Sequence, residues 1–299
     1  MHGQGTCVGF YLKTCPQAES IIRLTVQTHF GSNPTIAPGL LRMHFHNCFV
    51  HGCDASILIK GTNIERTTPP NSLLRGFEVI DDAKAKLKAT CPGIVSCAVI
   101  LALTARDSVF LILGGVNLGG PNFQQLVSEP LGLHKALKNR PTPEVSTGIS
   151  VTGERSRFKM SDENCENLDL RITSAIRLYK LYNFTTSGKG DDPTIDPTFL
   201  PQRRALYPPN GDGTKRVGLD HGSQNTFDTS YFNNLRNDRG VLKSDQRLWT
   251  DANTKTFVQR FLGANAFNVE FGRSMVKMSN VDVKTGTQGE IRKICSAIN

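Results

Sequence analysis

Strand-like alternation of apolar and polar residues is nearly absent from this 299-residue chain, and internal repeats and low-complexity tracts are absent altogether. The usual signatures of sheet-built and solenoid folds are therefore missing. Long apolar runs are missing as well. The longest, residues 95–105, is interrupted by Ser96, Cys97 and Thr104 and is too short to cross a bilayer, so no membrane partner is expected. The net charge is +9 with a pI of about 9.2, yet nothing longer than Gln-Arg-Arg at 202–204 or Thr-Lys-Arg at 214–216 gathers the basic residues. A nucleic-acid footprint needs such residues clustered on one face, so no nucleic acid is expected. A scattered basic surface suits an anionic matrix better. No signal peptide precedes Gln4, which reads as a mature form behind an added start.

What is present is ordinary globular composition, 38% apolar and 20% charged, in a chain long enough to bury a large core. The coarse pattern is helical. Ile22, Val26 and Phe30 recur at four-residue spacing, Phe77, Ile80 and Leu87 line a second stripe, and Phe267, Phe271, Met275 and Met278 a third. Asp228 stands where an N-cap would open a helix carrying Tyr231, Phe232 and Leu235, with Gly240 closing it. Residues 111–178 break this pattern. They hold Gly-Gly pairs, Pro141-Thr-Pro143 and mixed polar runs, with room for only a short helix over 131–137. Eight cysteines argue for an oxidising compartment if they pair, and Asn183-Phe-Thr is an acceptor for N-glycosylation.

Chemistry concentrates at residues 40–58, Leu-Leu-Arg-Met-His-Phe-His-Asn-Cys-Phe-Val-His-Gly-Cys-Asp-Ala-Ser-Ile-Leu. Arg42 and His46 are four apart, so a helix presents both on one face. A fixed cation beside a neutral imidazole can polarise and deprotonate a bound small molecule. Asp54, Ser56 and neighbouring loop carbonyls follow at once, oxygen donors of the kind a hard cation takes. The alternative is zinc on His44, His46, Cys48, His51 and Cys53. Closed zinc sites usually draw paired ligands from separated segments, whereas these five fall within ten residues. On a helix, His44 and His46 would point about 200° apart. In an oxidising compartment Cys48 and Cys53 sooner join as a small disulfide loop.

The run Arg42-Met-His-Phe-His46-Asn-Cys48-Phe-Val-His-Gly-Cys53-Asp54-Ala-Ser56 resembles the distal helix and calcium loop of plant secretory (class III) haem peroxidases. Gly9-Phe-Tyr, Thr14-Cys15-Pro, Pro70-Asn71, Cys91-Pro-Gly, Val95-Ser-Cys97 and Ala105-Arg-Asp-Ser carry the likeness further. So do Leu219-Asp220, Phe227-Asp228, Ser244-Asp245-Gln246 and Met275-Val-Lys-Met-Ser, all in family order. The likeness extends over residues 4–110 and 179–299. It implies a mainly α, two-lobed haem-peroxidase fold forming a single domain over 1–299, with a distal lobe at about 1–110 and a proximal lobe at about 179–299. It also implies haem b, up to two calcium ions, and oxidation of phenolic or other small reducing donors by hydrogen peroxide in a secreted monomer.

On this resemblance His46 is the general base that takes a proton from peroxide and returns it to the departing oxygen. Arg42 stabilises the charge developing on oxygen. Asn71 accepts a hydrogen bond from the other nitrogen of His46 and fixes its tautomer. Phe45 walls the haem pocket, and Asp245 orients the proximal ligand. One calcium takes Asn47, Val50, Gly52, Asp54 and Ser56, with Glu65 reaching it through water; a second takes Asp220, Ser223, Thr226 and Asp228. Six cysteines match the family pairs Cys15–Cys91, Cys48–Cys53 and Cys97–Cys295, the last closing a loop that constrains the unfolded chain by roughly 4–5 kcal/mol in the entropic model.

Departures fall mostly in 111–178. The family's Gly-Gly-His-Thr motif, with its proximal histidine, has no counterpart. Counting back from Leu181-Tyr-Asn-Phe184 puts that position at Asn167, aligning on Thr173-Ser-Ala puts it at Asp169, and the one histidine in the window is His134. No axial haem ligand is identified. The family's fourth disulfide falls at Ser174 and Tyr207. Its buried aspartate falls at Val99, and the Gly-Arg-Arg-Asp segment supplying the basic partner is gone too, a paired loss that avoids a lone buried charge. Asn47 replaces an aspartate, keeping an oxygen donor but removing a charge, which weakens the distal calcium site. Cys7 and Cys165 have no family counterpart. The window keeps nearly the family's length without its content, as a segment read out of frame between compensating insertions and deletions would. Two functions follow, a haem peroxidase or a secreted calcium-binding pseudo-peroxidase with little or no haem activity. Translating the other two frames of the source nucleotide sequence across 111–178 is expected to reveal Gly-Gly-His-Thr; its absence from both would make the divergence real.

Overall fold

The computed structural model describes residues 10–49, 52–68, 71–72, 74–113, 181–182, 190–206, 208–209, 220–223, 226–240, 243–279, 281–282, 284 and 289–299. Among them the helices are α1 (Ala18–Ser32), α2 (Ile36–Phe49), α3 (Phe77–Thr90), α4 (Cys97–Ile112), α5 (Leu200–Leu206), α6 (Ser230–Arg236), α7 (Lys243–Thr250), α8 (Ala252–Phe261) and α9 (Ala264–Ser279). No extended strand occurs among the described residues, and the expected mainly α architecture is present. None of these helices is long and apolar enough to cross a membrane. The chain divides into two compact units, residues 1–149 with 268–299, and residues 150–267.

The first unit is built around α4. The apolar run at 95–105, too short for a bilayer, becomes a helix whose residues from Cys97 to Val109 are all buried. Ser96 caps it, its Oγ accepting from the Val99 amide at 3.3 Å. A helix apolar on every side must be covered on every side, and α1, α2 and α3 pack on it. The sequence stripes supply the covering faces, Ile22 and Val26 from α1 and Ile80 and Leu87 from α3, with Phe30 and Phe77 at the margin. Val99 is 0% exposed in this apolar setting, where a carboxylate would be a buried charge in need of a partner. Gly76 opens α3 with φ at 103°, and a Cβ there would lie 2.8 Å from Leu40 Cδ2 of α2. Its absence lets the two helices meet.

A buried charged group in this unit links helices. Arg106 of α4 donates Nε to Asp107 at 2.9 Å and Nη1 to Glu19 of α1 at 2.8 Å. Arg23 Nε lies 3.6 Å from the same Asp107 oxygen. From the C-terminal part, Met275 is buried in the core with Phe271 and Met278 packed beside it. Disulfides join Cys15–Cys91, Cys48–Cys53 and Cys97–Cys295, as expected. Arg292, fully buried, donates to the carbonyls of Ala55 at 2.6 Å and Cys295 at 2.8 Å.

In the second unit Phe227, Phe232, Phe261 and Phe267 stack or meet edge to face, with centroids 5.1–6.4 Å apart. The helix expected to run from Asp228 to Gly240 is shorter than its sequence signals suggest. It begins at Ser230, whose amide donates to Asp228 at 2.8 Å, and ends at Arg236, because Asp238 takes a left-handed backbone with φ at 56°. Gly240 serves a different purpose: its amide donates to Gln246 Oε1 at 3.0 Å, and a Cβ would come within 2.6 Å of that oxygen. Gln246 also donates to the Leu235 carbonyl and to Asp238, closing the turn between α6 and α7.

Asp107→Leu is expected to destabilise the protein by about 3–5 kcal/mol, because Arg106 then keeps a buried charge with one partner removed. Urea midpoints should show the Arg106→Met/Asp107→Leu pair recovering most of that loss. A double variant as unstable as the single would mean the two charges are not coupled.

Candidate functional site

Helix α2 has two faces. Leu40, Met43, His44 and Asn47 are buried. On the other side Arg42, Phe45, His46 and Phe49 form a stripe at i, i+3, i+4 and i+7. Phe45 stacks on Phe49 at 4.9 Å yet stays 36% exposed. Arg42 Nε and His46 Nε2 are 3.2 Å apart, and His46 Nδ1 lies 2.7 Å from Asn71 Oδ1. The Asn71 amide cannot turn over, because its Nδ2 donates to the Glu65 carbonyl at 2.8 Å and to Thr68 Oγ1 at 3.1 Å. An amide oxygen only accepts, so Nδ1 of His46 carries the proton and Nε2 the lone pair, to which Arg42 donates. Burial lowers the His46 pKa most, the Asn71 bond raises it, and the Arg42 charge lowers it again. The result is a neutral imidazole, lone pair outward, beside a guanidinium.

The loop after α2 gathers oxygen. Asn47 is 1% exposed and its Oδ1 accepts no hydrogen bond among the described residues, a cost that a bound cation would remove. Gly52 has φ at 93°, and a Cβ would meet Asp282 Cβ at 2.6 Å and the Val281 carbonyl at 2.9 Å, so the chain passes here only as glycine. Asp54 Oδ1 accepts from the Ser56 amide at 3.0 Å and lies 2.6 Å from Ser56 Oγ, which in turn is 2.5 Å from Glu65 Oε2. One hydroxyl proton therefore faces two carboxylates. The donors are an amide, a hydroxyl and two carboxylates, a hard-cation set. Zinc is not served here. Cys48 and Cys53 are joined to each other, and His44 turns into the core with Nε2 3.2 Å from Ser279 Oγ.

In the second unit Ser223 Oγ lies 2.9 Å from Asp220 Oδ2 and 3.2 Å from Asp228 Oδ1, and the Thr226 amide donates to the Ser223 carbonyl at 2.9 Å. Asn234 donates to Asp220 at 3.2 Å and to the His221 carbonyl at 2.9 Å. Burial first, and the Asp228 charge second, raise the Asp220 pKa against the opposing bonds from Ser223 and Asn234. Two acids converging on one hydroxyl suit a cation. Asp245, in the first turn of α7, accepts a hydrogen bond from the Tyr231 phenol, and burial followed by the Asp245 charge pushes that phenol up.

Val50, His51, His134, Asn167, Asp169, Ser174, Tyr207, Asn183, Cys7, Cys165 and the helix expected over 131–137 lie outside the described residues. Sequence reasoning overlooked the Glu65 carbonyl and Thr68 as the groups holding Asn71, and Ser279 as the partner of His44. A hydroxyl three residues before Asn71 was a readable signal for Thr68. A backbone carbonyl and a contact across more than two hundred residues leave none.

A sequence profile of the peroxidase family, described as Peroxidase, matches residues 22–127 and 163–264. The chain belongs to this family. Peroxidase N1 of Nicotiana tabacum is 54% identical, over 99% of this chain and 92% of its own length. Peroxidase 62 and Peroxidase 71 of Arabidopsis thaliana are 51% and 50% identical, over 100% and 99% of this chain and 94% and 90% of theirs. The chain thus stands in the plant class III branch and is a peroxidase rather than a calcium-binding non-enzyme. The profile leaves 128–162 unmatched, within the atypical segment around 111–178. Asn167 and Asp169 lie inside matched sequence.

His44 yields a stability prediction. Full burial lowers its pKa to about 4, whereas in the unfolded chain it titrates near 6.5. The unfolded state therefore binds the extra proton between those values, and stability falls as pH drops from about 6.5 to 4, by about 3 kcal/mol in all. Denaturant titrations across this range should show the slope, and His44→Gln should flatten it.

Proposed function

We propose that this chain is a secreted haem peroxidase in which His46 and Arg42 act on hydrogen peroxide and electrons come from phenolic or other small reducing donors. One observation carries the reading: the ordered series from the Glu65 carbonyl through the Asn71 amide to His46, which leaves a lone pair on Nε2 beside Arg42. The face fits haem b, because a half-exposed Phe45 next to an imidazole and a guanidinium is a surface that a flat, largely apolar group would cover. Haem bound there supplies the redox iron at which peroxide is reduced. His46 Nε2 takes the proton from one peroxide oxygen and returns it to the other as that oxygen departs as water. Arg42, always protonated, donates to the oxygen on which charge grows. Asn71 keeps the base in the tautomer that can do both.

Asn47, Val50, Gly52, Asp54, Ser56 and Glu65 would hold one calcium, and Asp220, Ser223, Thr226 and Asp228 a second. Glu65 meets Ser56 through its side chain and orients Asn71 through its carbonyl, so an ion held by this loop would be linked to the base through Glu65. At the position of the family's axial histidine this chain has Asn167 or Asp169. Neither residue would supply the imidazole nitrogen that family members offer to haem, so haem held by this chain would be bound less firmly and would turn over more slowly. Three disulfides among the described residues, and basic residues that form no long run in the sequence, support an extracellular monomer working on small molecules rather than on membrane or nucleic acid.

The test is refolding with haem and calcium, followed by visible spectra and peroxide-dependent oxidation of a phenol. A Soret band that shifts on peroxide addition is expected. His46→Ala should slow the peroxide step by ~10²–10⁴-fold, Asn71→Leu should slow it less, and calcium chelation should act in the Asn71 direction. Absence of a Soret band, or a peroxide step indifferent to His46, would overturn the proposal.

A further inference from the structure

We propose that the first unit carries a second ligand site, sharing no residue with the Arg42–His46–Asn71 group, that takes a small carboxylate with an apolar body. It is a cavity of about 360 Å³ where the later turns of α3, the 91–95 connection and residues 291–293 come together. That volume lies within the ~300–1,000 Å³ usual for small-molecule sites. Leu87, Pro92, Val95 and Ile291 give it apolar walls, and four cations line it: Lys84, Lys88, Arg292 and Lys293.

The charge is what points to a ligand. Lys84 is 6% exposed and donates to the Val95 carbonyl at 2.7 Å, which uses one of three ammonium protons. Arg292 is fully buried; two of its nitrogens are spent on the Ala55 and Cys295 carbonyls, and its Nε has no acceptor among the described residues. Lys88 and Lys293 stand exposed at the rim. Asp54 and Glu290 offset part of the Arg292 charge. Burial, then the charges of Arg292 and Lys88, still lower the Lys84 pKa to about 8, so these cations are close enough to repel one another. Buried charge of one sign is costly until an anion joins it. An inorganic oxyanion would answer the cations and leave the walls wet. A neutral aromatic would fill the walls and leave the cations unanswered. A carboxylate on an apolar body answers both. This inference stands independently of the peroxidase reading.

Equilibrium dialysis of labelled benzoate against the full-length, haem- and calcium-loaded protein tests it. Saturable binding is expected, weakened at least about tenfold in Lys88→Glu/Lys293→Glu, kept in Arg42→Leu, and displaced poorly by benzamide or inorganic phosphate. The two rim substitutions are exposed, so the fold and the peroxide step should be unchanged. No saturable binding, binding that survives the charge reversal, loss in Arg42→Leu, or equal competition by phosphate or benzamide would each overturn it.

Discussion

Because α4 is buried from Cys97 to Val109, α2 has one way to lie against it. Its Leu40, Met43, His44 and Asn47 go inward, and the helical period then turns Arg42, Phe45, His46 and Phe49 the other way. The chemistry of the distal face is thus a consequence of packing. Any change that let α2 roll would move Arg42 and His46 together and separate both from Asn71. Gly76 and the Arg106–Asp107–Glu19 group act on the same constraint, one by allowing α3 to approach α2 and the other by tying α4 to α1.

A second feature is the sense of the polar chain. Each member has its donor and acceptor roles fixed by the next, from the Glu65 carbonyl to the Asn71 amide to His46. Directionality of this kind sets a tautomer without adding a charge near the base, so the imidazole stays neutral. Glu65 also meets Ser56 and, through it, Asp54, so the oxygen-rich loop and the base belong to one network. Arg292 holds that loop from behind through the Ala55 carbonyl, which brings the C-terminal part of the chain into the same construction.

Much of this was legible in the residues themselves. The Ile22–Val26 and Ile80–Leu87 stripes do face the core, and the three family disulfides form. The end of α6 was misjudged because glycine marks a helix stop only when nothing stops the helix sooner. Here Asp238 turns left-handed two residues earlier, and Gly240 is needed for Gln246. The atypical segment around 111–178 stood out in the residues, and the stretch that the family profile leaves unmatched, 128–162, lies inside it.

The residues by themselves carried the family resemblance through local patterns: helical periodicity, an Arg-x-x-x-His pair on one helix face and an oxygen-rich loop after it. Those properties are local, since they depend on residues within a few positions of one another. Only the tertiary structure decided which nitrogen of His46 carries the proton, what holds Asn71, where His44 goes, and that Lys84, Lys88, Arg292 and Lys293 surround one cavity. Each of those joins residues distant in sequence or uses a backbone carbonyl, and a carbonyl is present in every residue and therefore marks none.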